Sequence, residues 1–127
     1  SGHASKALNN YVSAAGLAAA CEAVIVGKKF GLNPETLVNV INASTGRNNS
    51  TENKLVQFVL SGDFSKAGFS LDLMAKDVGL AASLSDALDL DLPGLREARR
   101  LWAEASEKLG RGADHTEIFR YLDSHDA

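Results

Sequence analysis

The spacing of apolar residues predicts a long helix at the start of the chain. Over residues 4–29, apolar side chains recur at intervals of three and four, as on one face of an α-helix. The residues at this spacing are Leu8, Val12, Ala15, Ala19 and Ala23. Many others are alanine or glycine, and such small residues let a second helix approach closely. Gly31 fits the left-handed end of this helix.

Two further helices follow at short intervals. A second is predicted to begin at Pro34, because Asn33 suits the N-cap and proline suits the first helical position. Its buried face is expected to carry Leu37, Val38 and Ile41. A polar loop ends this pattern, and a third helix is predicted over residues 51–60, with Ser50 as its cap.

The second half of the chain also has a helical pattern. Ser70 is predicted to cap a long helix over residues 71–90, and Pro93 to begin another that runs to Leu109. The apolar stripe of the first of these is Leu71, Met74, Val78, Leu80, Ala81 and Leu84. A short last helix is expected after Asp114, which has capping-box spacing to Glu117.

These elements predict an all-α fold. No segment alternates apolar and polar residues as a strand does, and the chain has only two prolines. At 127 residues the length is that of one domain, so residues 1–127 are expected to form a single bundle of about six helices, two of them long.

Charge and composition narrow the function classes. A net charge of −3 gives no argument for nucleic-acid binding. The apolar stretch over residues 14–27 contains Glu22 and is too short to span a membrane, so no membrane association is expected. The lone Cys21 cannot form an internal disulfide, which favours a reducing, cytoplasmic location and a buried structural thiol.

The histidines do not predict a metal site. His3, His115 and His125 lack the i,i+4 spacing of helical metal ligands, and no cysteine cluster accompanies them.

The first helix carries a candidate functional motif, "GHASKALNN". Gly2, Lys6 and Asn10 are four residues apart, so they lie on one helical face. A lysine desolvated in a cleft can transfer protons, and an asparagine one turn on could hold a carboxylate or hydroxyl of a small ligand. The residues alone leave open a solvated lysine beside a pair of asparagines.

Two other polar segments have similar alternatives. In "FSLDLMAKDVGLA", Lys76 either forms a helical ion pair with Asp72 or contacts a polar ligand, with Phe69 available to pack on a flat ring. The segment "STGRNNSTENK" (residues 44–54) is either a plain loop or a source of donors for an anionic group.

Taken in order, "GHASKALNN", "STGRNNSTENK", "FSLDLMAKDVGLA" and "GRGADHTEIFRYL" resemble the C-terminal domain of the β-hydroxyacid dehydrogenases. This family includes 3-hydroxyisobutyrate dehydrogenase and tartronate semialdehyde reductase, and it is related to 6-phosphogluconate dehydrogenase. The resemblance covers nearly the whole chain. It implies the helical C-terminal fold of that group and a homodimer or higher homo-oligomer with the alanine-rich helix as subunit contact.

The resemblance also implies roles for residues. Lys6 matches the catalytic lysine, which exchanges a proton with the substrate hydroxyl while hydride passes to or from the nicotinamide of NAD or NADP. Asn10 matches a substrate-binding residue, and Gly2 matches a close-packing glycine beside the substrate. Lys76, with Phe69 and Asp77 flanking it, matches the residues near the cofactor. The implied substrate is a small 3-hydroxy acid or its semialdehyde.

Such an enzyme also needs a Rossmann domain, and no G-x-G-x-x-G turn between a strand and a helix is present here. The chain is therefore expected to be the C-terminal part of a dehydrogenase, inactive by itself. The alternative is a noncatalytic helical interaction module that retains the family fold; the presence of Lys6 favours the enzyme.

Overall fold

A computed structural model describes residues 2–64 and 67–124, and within them the fold is all-α, as predicted. His125 lies outside these residues. Five α-helices and a π-helix make up the bundle, with a 3₁₀ turn (His115–Glu117) before the last helix. In chain order the helices are α1 (Gly2–Phe30), α2 (Pro34–Asn42), the π-helix (Ser50–Val59), α3 (Leu71–Ala87), α4 (Pro93–Leu109) and α5 (Ile118–Ser124).

The first helix has close to the predicted extent, and the apolar stripe that predicted it does not face the core. Leu8 and Val12 are 45% and 67% exposed, and Ala19 and Ala23 are also exposed. The residues that α1 buries are Ala7, Ala14, Leu17, Ala18, Ala20, Cys21, Val24, Ile25 and Gly27. This second stripe has nearly the same spacing as the first. Periodicity therefore identified the helix without deciding which stripe faces the core.

Cys21 confirms the expected structural thiol. Its side chain is fully buried in the core, and this burial raises the pKa of the thiol to about 12. A smaller part of this rise comes from the nearby carboxylate of Glu22, and the group stays protonated and unreactive.

By length and composition alone, α1 could cross a membrane. This differs from the expectation from the sequence, which considered only the apolar stretch over residues 14–27. Of its most apolar 18-residue window, 44% is buried inside the bundle. Core helices of soluble proteins meet the same criterion, so the finding is weak evidence for membrane insertion.

The third helix is a π-helix, not the expected α-helix, and Ser50 does not cap it. Ser50 lies inside the helix and is buried, while Asn48 and Thr51 cap the start reciprocally. In this wider helix Thr51, Leu55 and Val59 form the buried row, one residue in four.

Gly16 lets the start of the π-helix lie against α1. The Asn48 side-chain amide donates a hydrogen bond to the Gly16 carbonyl oxygen at 3.3 Å. A Cβ atom at Gly16 would stand 3.0 Å from that amide nitrogen, so a larger residue there would crowd the Asn48 side chain.

Helices α3 and α4 pack against each other, and Trp102 on α4 is fully buried. Ser70 caps α3 as predicted, since its hydroxyl accepts a hydrogen bond from the Leu73 N–H. The helix ends at Ala87 and not at residue 90, and Asp89 follows in a left-handed conformation with φ of 58°. Leu80 and Leu84, expected in the apolar stripe, are partly exposed; Ala82 and Ser85 are buried instead.

The last helix is tied back to the start of α3. The predicted capping box forms, because the Asp114 carboxylate accepts from the Thr116 N–H and the Glu117 carboxylate accepts from the Asp114 N–H. Backbone hydrogen bonds join His115 N–H to the Phe69 carbonyl at 2.7 Å and Leu71 N–H to the Ala113 carbonyl at 2.9 Å. This pairing fixes Phe69 beside the C-terminal turn.

Candidate functional site

Two of the sequence motifs meet where α1 crosses α3. The Asn10 side-chain amide nitrogen donates a hydrogen bond to an Asp77 carboxylate oxygen at 2.6 Å. The Asn10 amide oxygen accepts a longer bond of 3.2 Å from the Asn9 amide. Among the described residues, these contacts leave one amide N–H and one oxygen lone pair of Asn10 for a ligand.

Lys6 lies one turn before Asn10, as the spacing predicted, and its side chain is exposed. The desolvated lysine that a closed cleft would give is therefore not present within this chain. Gly2 is also exposed, and no described atom would lie within 4 Å of a Cβ added there. The close packing expected at Gly2 is thus absent from the part of the chain that the structure describes.

The residues of the second motif point in different directions. Asp72 accepts a hydrogen bond from the Ser106 hydroxyl at 2.6 Å, which replaces the ion pair considered with Lys76. Lys76 is exposed, and none of the described carboxylates forms an ion pair with it. Phe69 is half-buried and packs edge-on against the His115 ring, with 5.5 Å between ring centres.

The polar segment of residues 44–54, which continues into the π-helix, contributes a lysine that sequence reasoning did not single out. The Lys54 ammonium donates a hydrogen bond to the Ser13 hydroxyl on α1 at 3.3 Å. Partial burial lowers the pKa of Lys54, and the charge of Asp114 opposes that effect. Lys54 is the last residue of "STGRNNSTENK". The family resemblance of that segment could have pointed to Lys54, whereas no local sequence pattern did.

Asp114 and His115 form a buried polar pair next to Lys54. The Asp114 carboxylate accepts hydrogen bonds from the Phe69 N–H, the Thr116 N–H and the Thr116 hydroxyl. Burial lowers the pKa of His115, and the positive charge of Lys54 lowers it further, while Asp114 opposes both effects. His115 is therefore neutral at physiological pH.

Together these contacts make a polar row along one face of α1. Lys6, Asn10 and Ser13 follow at intervals of four and three residues, with Asp77 bonded to Asn10 and Lys54 to Ser13. A row with an ammonium group at each end and an amide between them suits a small hydroxy acid. Among the described residues, no group of three His, Cys, Asp or Glu side chains could hold a metal ion.

A separate cavity of about 520 Å³ opens between the loop around Gly62–Phe64 and the turn at Asp114. Phe69 and Ser70 belong to its lining, whereas Lys6, Asn10 and Lys54 do not. The polar row on α1 is thus an open surface, not one wall of this cavity.

Comparisons with known proteins agree on one family. The profile described as the NAD-binding domain of NADP-dependent 3-hydroxyisobutyrate dehydrogenase matches residues 1–122. The 2-(hydroxymethyl)glutarate dehydrogenase of Eubacterium barkeri is 36% identical over 113 residues, which are 89% of this chain and 37% of that protein.

Solved structures give the same result. The 3-hydroxyisobutyrate dehydrogenase of Mycobacterium tuberculosis with L-serine superposes with a TM-score of 0.81 at 29% identity, covering 94% of this chain and 42% of that one. Psf3 in complex with NADP⁺ and 2-OPP gives 0.80 at 27% identity, over 92% and 40%. The chain therefore spans about two-fifths of the length of these relatives.

The lowered pKa of His115 predicts a pH dependence of stability. In the unfolded chain the pKa of this histidine is about 6.5, whereas in the folded chain it is lower. As the pH falls, the unfolded state therefore binds a proton more readily than the folded state, so acidification favours unfolding. We expect the free energy of unfolding in urea to fall between about pH 7.5 and about pH 5.5, and His115→Gln to weaken that fall. The control is His3→Gln, which removes an exposed histidine on α1 instead of the buried one. An identical pH dependence in His115→Gln and the unaltered chain would contradict the assignment.

Proposed function

The chain belongs to the family of NAD-binding domains of NADP-dependent 3-hydroxyisobutyrate dehydrogenases, and from this premise we propose that it is the helical C-terminal domain of an NAD(P)-dependent 3-hydroxy acid dehydrogenase. The observation that carries the proposal is the Asn10–Asp77 hydrogen bond, which holds an amide in a fixed orientation one helical turn from Lys6. The substrate class is a small 3-hydroxy acid or its semialdehyde.

In this proposal Lys6 moves the proton. Its amine accepts the hydroxyl proton of the substrate during oxidation and returns it during reduction. A bound NAD or NADP supplies the hydride acceptor or donor. Lys6 is exposed in this chain, so it can contact a substrate held against a second domain. Exclusion of water by that domain would favour the neutral amine that accepts a proton.

Asn10 binds and orients the substrate. Its remaining amide N–H and oxygen lone pair can pair with the hydroxyl or carboxylate of a hydroxy acid, because Asp77 occupies the other N–H. The open surface at Gly2 offers room for the same ligand beside the start of α1.

The cofactor contacts of this domain are assigned to Lys76, Phe69 and Asp77. Lys76 fits a polar or anionic group of the cofactor, since it is exposed and no described carboxylate neutralises it. Phe69 presents part of an aromatic ring, although one edge contact is already made with His115. Besides this cofactor contact, Asp77 on α3 orients the Asn10 amide through their hydrogen bond.

A nucleotide-binding domain is the proposed second part of the enzyme. This chain covers about two-fifths of its relatives and has no Rossmann fingerprint, so it would bind dinucleotide weakly and not turn over substrate alone. The protonated thiol of Cys21 is compatible with the cytoplasmic location that we propose.

The central test is substitution in the complete dehydrogenase. Lys6→Ala should lower kcat by about a hundredfold or more with little change in cofactor affinity, because the proton acceptor is removed. Asn10→Ala should mainly raise KM for the hydroxy acid. Lys108→Ala, an exposed lysine at the end of α4, is the control and should behave as the unaltered enzyme.

Near-normal turnover by Lys6→Ala would contradict the role of Lys6. An unaltered protein that oxidises no 3-hydroxy acid with either NAD or NADP would instead favour the noncatalytic interaction module.

We also propose a homodimer in which α1 forms the subunit contact. An apolar stripe that the bundle leaves largely uncovered runs the length of α1: the exposed residues are Leu8, Val12, Ala19, Ala23, Val26 and Phe30, and Ala15 among them is half-buried. Val26 and Phe30 are 68% and 82% exposed. Its small central residues would let the α1 helices of two subunits pack closely.

Sedimentation of the complete protein tests the dimer. The unaltered protein should sediment as a dimer or larger homo-oligomer, and the double variant Val12→Glu, Val26→Glu should dissociate it because two charges enter an apolar contact. Leu88→Glu, an equally exposed leucine outside α1, should not. A monomer at high concentration, or dissociation by both variants alike, would contradict the assignment of α1.

A further inference from the structure

Lys54 reaches α1 from the π-helix and is held there by a neutral partner. It is half-buried, and the Ser13 hydroxyl is the group to which its ammonium donates. Among the described residues, no carboxylate oxygen lies within 4.0 Å of this ammonium. A partly desolvated ammonium without a contacting anion is costly unless a ligand supplies one.

The carboxylate of Asp114 is engaged by other groups and forms no ion pair with Lys54 in the described part of the chain. Asp114 acts on Lys54 electrostatically, but its oxygens already accept three hydrogen bonds from Phe69 and Thr116. These bonds cap the C-terminal turn and fix its position. His115, the other titratable group facing Lys54, is neutral and offers no negative charge.

Lys54 stands at the end of the polar row that begins with Lys6. Ser13 lies three residues after Asn10 and seven after Lys6, which on an α-helix is about 4.5 Å and about 10.5 Å of axial rise. Lysine side chains are long and flexible, so both ammonium groups can approach one ligand that lies across Asn10.

We propose that Lys54 and Ser13 form a carboxylate subsite in the substrate cleft, so that the enzyme selects 3-hydroxy acids that carry a second carboxylate. This inference rests on the proposed dehydrogenase function. Lys6 then faces the hydroxyl group, Asn10 lies along the middle of the substrate, and the ammonium of Lys54 binds the remote carboxylate with a charge-assisted hydrogen bond. Lys54 is a specificity residue, distinct from the proton-transferring Lys6.

Two hydroxy acids provide a matched pair of probes. Both 2-(hydroxymethyl)glutarate and 3-hydroxyisobutyrate have a hydroxymethyl group beside a carboxylate, and only the former has a second carboxylate. We expect the complete dehydrogenase to prefer the dicarboxylate in kcat/KM. Lys54→Met, which keeps most of the length of the side chain and removes its charge, should reduce that preference by about tenfold or more through KM.

Conservative and control variants separate charge from folding. Lys54→Arg should retain most of the preference because it keeps the positive charge, and Lys108→Met should retain all of it. Equal losses on both acids in Lys54→Met, or a loss confined to the KM of NAD or NADP, would overturn the subsite and leave the proposed function standing.

A binding measurement tests the subsite without catalysis. In calorimetry with the complete protein, glutarate should bind with a lower Kd than butyrate. Lys54→Met should reduce the ratio of the two Kd values by about tenfold. A protein that binds both acids equally would overturn the subsite. If neither hydroxy acid is turned over but glutarate binding depends on Lys54, the proposed function fails and the subsite remains.

Discussion

The hydrogen bond between Asn10 and Asp77 is the contact on which the arrangement of this site depends. It joins α1 to α3 at 2.6 Å, and such a short bond requires the two helices to run close together. Two small buried residues of α1, Ala7 and Ala14, lie on either side of Asn10 along the helix and permit that approach. The direction of the Asn10 amide, and so the ligand it can bind, follows from this helix pair.

The other end of the polar row depends on contacts that are more remote in sequence. Gly16 admits the Asn48 side chain, which caps the π-helix, and the π-helix brings Lys54 to Ser13. The buried Asp114 cap fixes the C-terminal turn nearby. The two ammonium groups of the row thus come from separate elements, and the spacing between them is set by the rigid helix that carries Asn10 and Ser13.

Local chemistry predicted most of the fold. The caps at Asn33 and Ser70 and the capping box at Asp114 formed as expected, since each depends on residues within one turn. The buried face of α1 could not be predicted, because an alanine-rich helix offers two stripes of similar spacing and only tertiary contacts choose between them. Spacing within one helix was enough to place Lys6 and Asn10 on the same face. The contacts of Asn10 with Asp77 and of Lys54 with Ser13 join residues far apart in the sequence, so only the folded structure shows them.

A double-mutant cycle on Asn10 and Asp77 in the complete enzyme tests the central claim, that Asp77 acts by holding the Asn10 amide. The quantity to measure is kcat/KM for the hydroxy acid in Asn10→Ala, Asp77→Ala and the double variant. If the claim is correct, the double variant loses about as much as Asn10→Ala alone, because Asp77 has no remaining group to orient. Losses that simply add would contradict it and leave Asp77 with only the cofactor contact proposed for it.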